Sequence, residues 1–240
     1  MRGFAALLRK ELLGYFNTPI AYIVIAGFLV FTSVWLFFIH DFFAADVASL
    51  RAYYGVMPLV FVVLVPAVTM RMWSEERSSG TDELLLTLPL RDSTLVFGKY
   101  CAALLLVLVA ILLTVFVPLT VHRLGSFERG EIIGQYLGLV LLAATGTAIG
   151  ELCSAFSRNQ ISAFISAALI LLLLTLVGRI SAVVDLPSPI AAASSYLSID
   201  NHFRTLNRGV LDTRSVGYFL GLAALCLYGT VQILVVRKAR

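Results

Sequence analysis

Charge is scarce in this chain. Of 240 residues, only 13% are Asp, Glu, Lys or Arg, about half the roughly 25% of an ordinary soluble domain. The apolar share is 60%. A soluble core of this length cannot hide so much apolar surface, so the bilayer must be part of the solvent. Cysteine is scarce too. Cys101, Cys153 and Cys226 lie far apart inside apolar segments, with no CxxC or Cys/His spacing that would hold a metal. They read as small buried residues. His40, His122 and His202 fall at segment ends or in outer segments. Neither HExxH nor GxSxG occurs, so the signatures of a zinc protease and of a serine nucleophile elbow are absent. A P-loop is absent as well. The nearest stretch, Gly98-Lys99, has Ser93 where the first glycine belongs and Tyr100 in place of Ser/Thr. The formal net charge is +4, but the basic residues form no stripe interleaved with aromatics, so no nucleic-acid partner is expected.

What the chain does have is long hydrophobic runs. Six apolar segments reach spanning length, at about 19–39, 53–72, 99–121, 132–153, 161–180 and 215–236. At roughly 1.5 Å per residue, about 20 helical residues cross the roughly 30 Å hydrocarbon core. Helices satisfy their own backbone polar groups in lipid. A β-barrel would require strict alternation, which "LLLVLVAILLTVFV" (Leu104–Val117) lacks. The basic start (Arg2, Arg9, Lys10) and the run Ile20–Ile39 read as a retained first membrane helix, because the run exceeds the roughly 7–15 residues of a signal-peptide core. The expected fold is therefore all-α and integral to the membrane, a single domain over 1–240 with six transmembrane helices.

An even number of spans puts both termini on one side, and lysines and arginines choose which. Eleven lie on the terminal side (Arg2, Arg9, Lys10, Arg71, Arg77, Arg91, Lys99, Arg158, Arg237, Lys238, Arg240) and seven on the other (Arg51, Arg123, Arg129, Arg179, Arg204, Arg208, Arg214). The excess favours termini on the cytoplasmic side.

Three further features stand out. Residues 1–18 carry Ala5, Leu8, Leu12 and Tyr15 at helical spacing, interrupted by Arg9, Lys10 and Glu11, which reads as an interfacial amphipathic helix. Residues 181–214 are too apolar for a solvated loop and are broken by Pro187 and Pro189. Phe203, Leu206, Val210 and Leu211 form a helical stripe there, so an outer re-entrant helical hairpin is expected. Gly134-x-x-x-Gly138 and Gly146-x-x-x-Gly150 make the fourth segment a packing helix, with Gly217-x-x-x-Gly221 repeating the spacing on the sixth.

The polar island at 73–98 is longer than a turn between two spans requires. Thr81 can cap a short helix with Asp82 and Glu83 in its first turn, and Pro89 stops it. Such a helix would lie across the ends of its neighbours and present one face to a partner. Glu75 and Glu76 could be read as an acid and base pair, but adjacent helical residues point about 100° apart and do not share a site. Glu151, near the inner end of the fourth segment, is the best candidate for an intramembrane ionisable site, unless it pairs with Arg158.

The stretch "SEERSSGTDELLLTLPLRDSTLVFGKY" (Ser74–Tyr100) resembles the E-E-R-x-x-G-T-x-E-L-L-x-T-x-P signature of ATP-binding-cassette type-2 permeases. "RKELLGYFNTPIAY" (Arg9–Tyr22) and "SIDNHFRTLNRGVLDTRSVGYFL" (Ser198–Leu220) resemble the gliding-motility-associated subfamily. The resemblance implies a non-enzymatic permease that works as a dimer, with a second copy or a related permease. ATP and Mg would be bound by a separate cytoplasmic ATPase subunit, and the permease itself would hold no cofactor or metal. A periplasmic or membrane accessory protein is a further implied partner, and the complex would either export a substrate or pass motion across the membrane. By the same resemblance, Arg9, Lys10, Glu11, Glu75, Glu76, Arg77, Gly80, Thr81 and Glu83 would couple to the ATPase, and His202, Phe203, Arg208 and Gly209 would lie at the outer mouth. The apolar walls of helices one, two and five lean toward a lipid-like, amphipathic or polymeric cargo. The alternative reading is an intramembrane enzyme or secondary transporter with an ionisable site near Glu151.

Overall fold

The computed structural model describes residues 2–39, 50–81, 91–121, 129–183 and 187–238. Among them every regular element is helical. Helix α1 covers Arg2–Phe16 and α2 covers Pro19–Val34, followed by a π-helical turn, Trp35–Ile39. Then come α3 (Arg51–Gly55), α4 (Met57–Thr69), α5 (Ser74–Ser78), α6 (Asp92–Leu113) and α7 (Phe116–Val121). The remainder is α8 (Arg129–Phe156), α9 (Gln160–Val183), α10 (Ser188–Leu197), α11 (Ile199–Asn207) and α12 (Thr213–Lys238).

Five stretches are long and apolar enough to cross a membrane: Pro19–Ile39, Asp92–Val121, Gly130–Phe156, Gln160–Arg179 and Thr213–Lys238. The second expected segment differs. It is divided at Val56 into α3 and α4, and α4 has 13 residues, about 20 Å of helix at 1.5 Å per residue. Pro58 explains the division, because it lacks an N–H and fits the first turn of a new helix better than the interior of an old one. Proline acts the same way at 118. The helix breaks at Thr114, whose hydroxyl turns back to the Ile111 carbonyl at 2.6 Å, and α7 resumes at Phe116.

Helix α8 is the hub, packing against α4, α6, α9, α11 and α12. Its glycines let neighbours approach: a Cβ at Gly146 would meet Val65 at 3.3 Å, and one at Gly138 would meet Leu206 and Phe203 at 3.2 Å. Polar groups stitch the same helix to its neighbours. Tyr100 donates to the Ala144 carbonyl at 3.0 Å, and Thr145 to the Phe219 carbonyl at 2.9 Å. Gly217 and Gly221 on α12 have nothing within 4 Å of a built Cβ, so they play no part in packing the described chain.

Both ends of the chain lie at one end of the bundle. Leu7 of α1 sits on Gly98 of α6, Lys238 Nζ stands 3.3 Å from Asp92 Oδ1, and Arg237 donates to the Ala155 carbonyl. The buried face of α1 is centred on Leu7, whereas Ala5 is exposed, so the apolar stripe is rotated from the one expected on Ala5. At the opposite end, α11 inserts Phe203 and Leu206 into the core. The stripe does not continue to Val210 and Leu211, which are exposed. Helix α11 ends at Asn207, and Gly209 turns the chain at φ +78°, a backbone setting that favours glycine.

Candidate coupling site at the terminal end

The site begins with one lysine in an apolar helix. Lys99 lies on the second turn of α6, beside Gly98, and its side chain is only 2% exposed. A buried ammonium needs partners, and three elements supply them. Glu11 of α1 accepts at 3.1 Å, Glu76 of α5 accepts at 2.8 Å, and the Trp73 ring lies beneath with its centroid 5.1 Å from Nζ. The N-terminal helix, the polar island and the third long helix are thus fastened through one cation.

Trp73 continues the chain of contacts. Its Nε1–H donates to Glu151 Oε1 on α8 at 3.0 Å. The backbone N–H groups of Trp73 and Ser74 both donate to Ser154 Oγ, at 3.0 and 3.3 Å. Ser154 in turn donates to the Met70 carbonyl at 3.2 Å, as does the Ser74 hydroxyl. Arg77 donates from Nη1 to the carbonyls of Phe156 and Ser157, both at 3.2 Å. Phe156 is the last residue of α8, where carbonyls have no partner within their own helix, and Ser157 follows it directly. A five-residue helix has little stability of its own; α5 is held by these bonds to α8.

A cleft of about 240 Å³ opens between α1 and α5, with Lys10, Glu11, Tyr15, Arg71, Glu75 and Glu76 on its walls. Arg71 clamps Glu75 through two bonds, 2.6 and 2.8 Å, across one helical turn. The guanidinium holds the Glu75 carboxyl below the usual carboxylate range, against a smaller opposing effect of burial. Tyr15 donates to the Val68 carbonyl at 3.2 Å, tying α1 to α4. Burial and the nearby carboxylates push its phenol upward, so it stays a neutral donor at ordinary pH.

The residues singled out from the sequence fall into two groups here. Glu11, Glu75, Glu76 and Arg77 are all engaged within the chain. Arg9, Lys10, Gly80 and Thr81 are exposed. Gly80 has φ +71°, a backbone setting that favours glycine, and the Thr81 hydroxyl donates to the Glu76 carbonyl at 3.3 Å. Glu83, with the short helix expected after Thr81, lies outside the described residues. Glu151 is completely buried, and its bond goes to Trp73, not to Arg158 as the spacing had allowed. Arg158 is placed past the end of α8, beyond its last turn. Trp73 was not picked out by sequence reasoning, and Lys99 was noted beside Gly98 and among the terminal-side charges but not as a site residue. The signal was available: Lys99 is a lone cation at the start of a long apolar run.

The outer-hairpin residues lie at the far end. His202 donates from Nε2 to the Tyr196 carbonyl at 2.9 Å, so in the neutral ring Nδ1 accepts from the Ser215 hydroxyl at 3.1 Å. Its ring stacks on Tyr218 at 4.2 Å. Phe203 is buried, Arg208 is exposed, and Gly209 packs on Glu131 and Gly134 of α8. Among the described residues, no three His, Cys, Asp or Glu side chains are placed to share a metal ion.

The model of the family described as ABC-2 family transporter protein matches residues 17–235. Comparison with curated proteins gives no match. The match spans most of the chain, which therefore belongs to the ABC-2 transporter family and is a membrane component of a transporter.

Proposed function

We propose that the chain is the permease subunit of an ATP-driven transporter, with ATP and Mg bound and hydrolysed on a separate cytoplasmic ATPase subunit. The observation that carries this reading is the three-way contact of Lys99 with Glu11, Glu76 and Trp73. A push delivered to α1 or α5 from outside the bilayer reaches α6 through Lys99 and α8 through Trp73 and Ser154. The terminal end would then face the cytoplasm of a bacterial-type inner membrane. Among the described residues, the exposed charges left for a partner at this end include Arg9, Lys10, Arg91 and Arg158, beside the uncharged turn Ser78–Thr81. An ATPase surface bearing acidic groups matches them. The chain works as a dimer in this reading, with a second copy or a related permease, and the hairpin of α10 and α11 faces the periplasm or an accessory protein. The subfamily resemblance extends the proposal to gliding-motility-type permeases, which either export a cargo or transmit motion. An apolar groove of about 440 Å³ between α2 and α4, lined by Phe28, Phe31, Val60 and Leu64 among others, fits a lipid-like or amphipathic cargo.

The test is purification of the chain in mild detergent from cells that express its natural partners, with MgATP hydrolysis read on the eluate. Wild type is expected to carry an ATPase. Arg9→Glu with Lys10→Glu should lose it while the permease remains monodisperse, since both side chains point into solvent. A wild-type permease that never brings an ATPase with it would overturn the proposal.

A further inference from the structure

The mechanical reading leaves one group unused. Glu151 is fully buried, and its Oε1 accepts a single bond, from the Trp73 indole at 3.0 Å. Its Oε2 is buried with no hydrogen-bond partner. Among the described residues, the surrounding charges are committed elsewhere. From α6, Lys99 is held by Glu11 and Glu76, and Tyr100 donates to the Ala144 carbonyl. Cys101, also on α6, is a free thiol. From α1, Glu11 faces the same lysine and Tyr15 donates to the Val68 carbonyl. Arg71 is clamped to Glu75, and Arg237 of α12 donates to the Ala155 carbonyl. Two carboxylates already exceed the single charge of Lys99, so a third anion here would be buried, unpaired and repelled. A buried carboxylate in that position is strongly disfavoured, and taking up a proton relieves it.

We propose that Glu151 is a proton-binding site: its carboxyl carries a proton while Trp73 rests against it, and releases that proton to water when the Trp73–Ser74 turn is drawn away. The turn is built to leave as a unit. Three bonds hold it to one face of α8, one to Glu151 and two to Ser154 a turn further along. Pulling α5 outward breaks all three and opens the carboxyl to solvent. The O–H bond of the acid then breaks, the proton passes to water, and the carboxylate remains. Protons and movement of α5 are therefore linked. High pH favours the withdrawn turn, low pH the seated one, by up to about tenfold in that equilibrium per pH unit for one proton.

The protonation state can be tested on the permease alone, whereas its release rests on the coupling reading above. The first measurement is infrared spectroscopy of the purified full chain in lipid nanodiscs, comparing wild type with Glu151→Gln. Wild type at neutral pH should show a protonated-carboxyl C=O band that Glu151→Gln lacks, and Trp73→Phe should shift that band by removing its hydrogen bond. Should Glu151→Gln fold poorly, the wild type against Trp73→Phe gives the same answer. No such band at neutral pH would overturn the proton site whatever the chain transports. The second measurement is the pH profile of ATP hydrolysis in the complex with its ATPase. The wild-type profile should bend where the band disappears, and Glu151→Gln, fixed in the neutral form, should lose that bend. Identical profiles beside a clear band would overturn the linkage to α5.

Discussion

Lys99 Nζ and Glu76 Oε1 stand 2.8 Å apart across 23 residues of sequence, with the lysine buried inside the bundle. Their contact joins the short helix after the second apolar segment to the start of the third. It sets what removal of the lysine must do. In Lys99→Ala, Glu11 and Glu76 face each other with no cation between them. Breaking a buried ion pair in this way costs about 3–5 kcal/mol. Both carboxylates keep a little solvent contact, so the lower end of that range is expected. Thermal unfolding in detergent measures it. Lys99→Met combined with Glu11→Gln and Glu76→Gln should recover most of the loss, because it removes the charges together. A triple variant as unstable as Lys99→Ala would show that lost packing, not unpaired charge, was responsible.

Two glycines on neighbouring helices should respond oppositely to the same change. A methyl group at Gly150 on α8 would run into Thr69 of α4, whereas one at Gly221 on α12 meets nothing within 4 Å. Gly150→Ala therefore forces α4 and α8 apart, with an overpacking cost of about 1–3 kcal/mol. Gly221→Ala should be neutral or should stabilise by about 0.5–1 kcal/mol, from the restricted unfolded chain and better helix propensity. Melting temperatures of the two variants in one detergent decide the matter. If Gly221→Ala instead lost a dimer in native gels, the open face of α12 would be an interface between copies.

The long spans were legible in the sequence because each is a continuous apolar run, and Pro19 marks where the first one begins. The second segment was legible as apolar but not as divided, since hydropathy does not register that Pro58 suits a helix start. The cluster around Lys99 was only half legible. Acidic residues 11, 75 and 76 stood out as polar islands in an apolar chain, and the natural reading gave their charge to a partner. The structure turns Glu11 and Glu76 inward because folding brings Lys99 between them. That meeting depends on how α1 and α5 pack on α6, which no local pattern records. Glu151 was legible as an anomaly for the same reason that makes it buried: it is an acid within a helix of small and apolar residues. Its bond to Trp73, 78 residues earlier in the chain, was not.

Acid should loosen α5 through Glu75. The Arg71 guanidinium lowers its folded-state pKa relative to the unfolded chain. A lowered carboxylate contributes stability that is fully present above the unfolded value, near 4.5, and is lost as pH falls through the folded value. The side chain is 43% exposed, so solvent screening limits the effect to about 1 kcal/mol or less. Glu75→Gln should therefore be slightly less stable than wild type at pH 7. It should show a smaller loss on acidification below about pH 4.5, read as the melting temperature at each pH. High salt should narrow the gap at pH 7, because the pair is half in solvent. Parallel acid curves for wild type and variant would mean that the clamp contributes nothing.

The far end of the bundle is fastened by Asp200. Its side chain is 1% exposed and accepts from Arg179 of α9 at 2.9 and 3.1 Å, and from Arg204 one turn along α11 at 2.9 Å. The two arginines are 38% and 52% exposed, so water can take over the guanidinium groups if the carboxylate goes. Asp200→Asn is then expected to cost about 1–3 kcal/mol, below the range for a wholly buried pair. The loss should be local. Asp200 sits in the first turn of α11, where its charge also favours the helix dipole and where Ser198 accepts from the Asn201 N–H at 3.3 Å. The core side of α11, at Phe203 and Leu206, remains to hold it against α8. Limited proteolysis of membrane vesicles reads the difference. Asp200→Asn should be cut faster on the hairpin side with its terminal end as protected as before, and Arg179→Lys, which keeps the charge but loses the paired bonds, should fall between wild type and Asp200→Asn. Equal cutting of wild type and Asp200→Asn would mean that α11 is held by its apolar face alone, and the hairpin would then be free to move without breaking an ion pair.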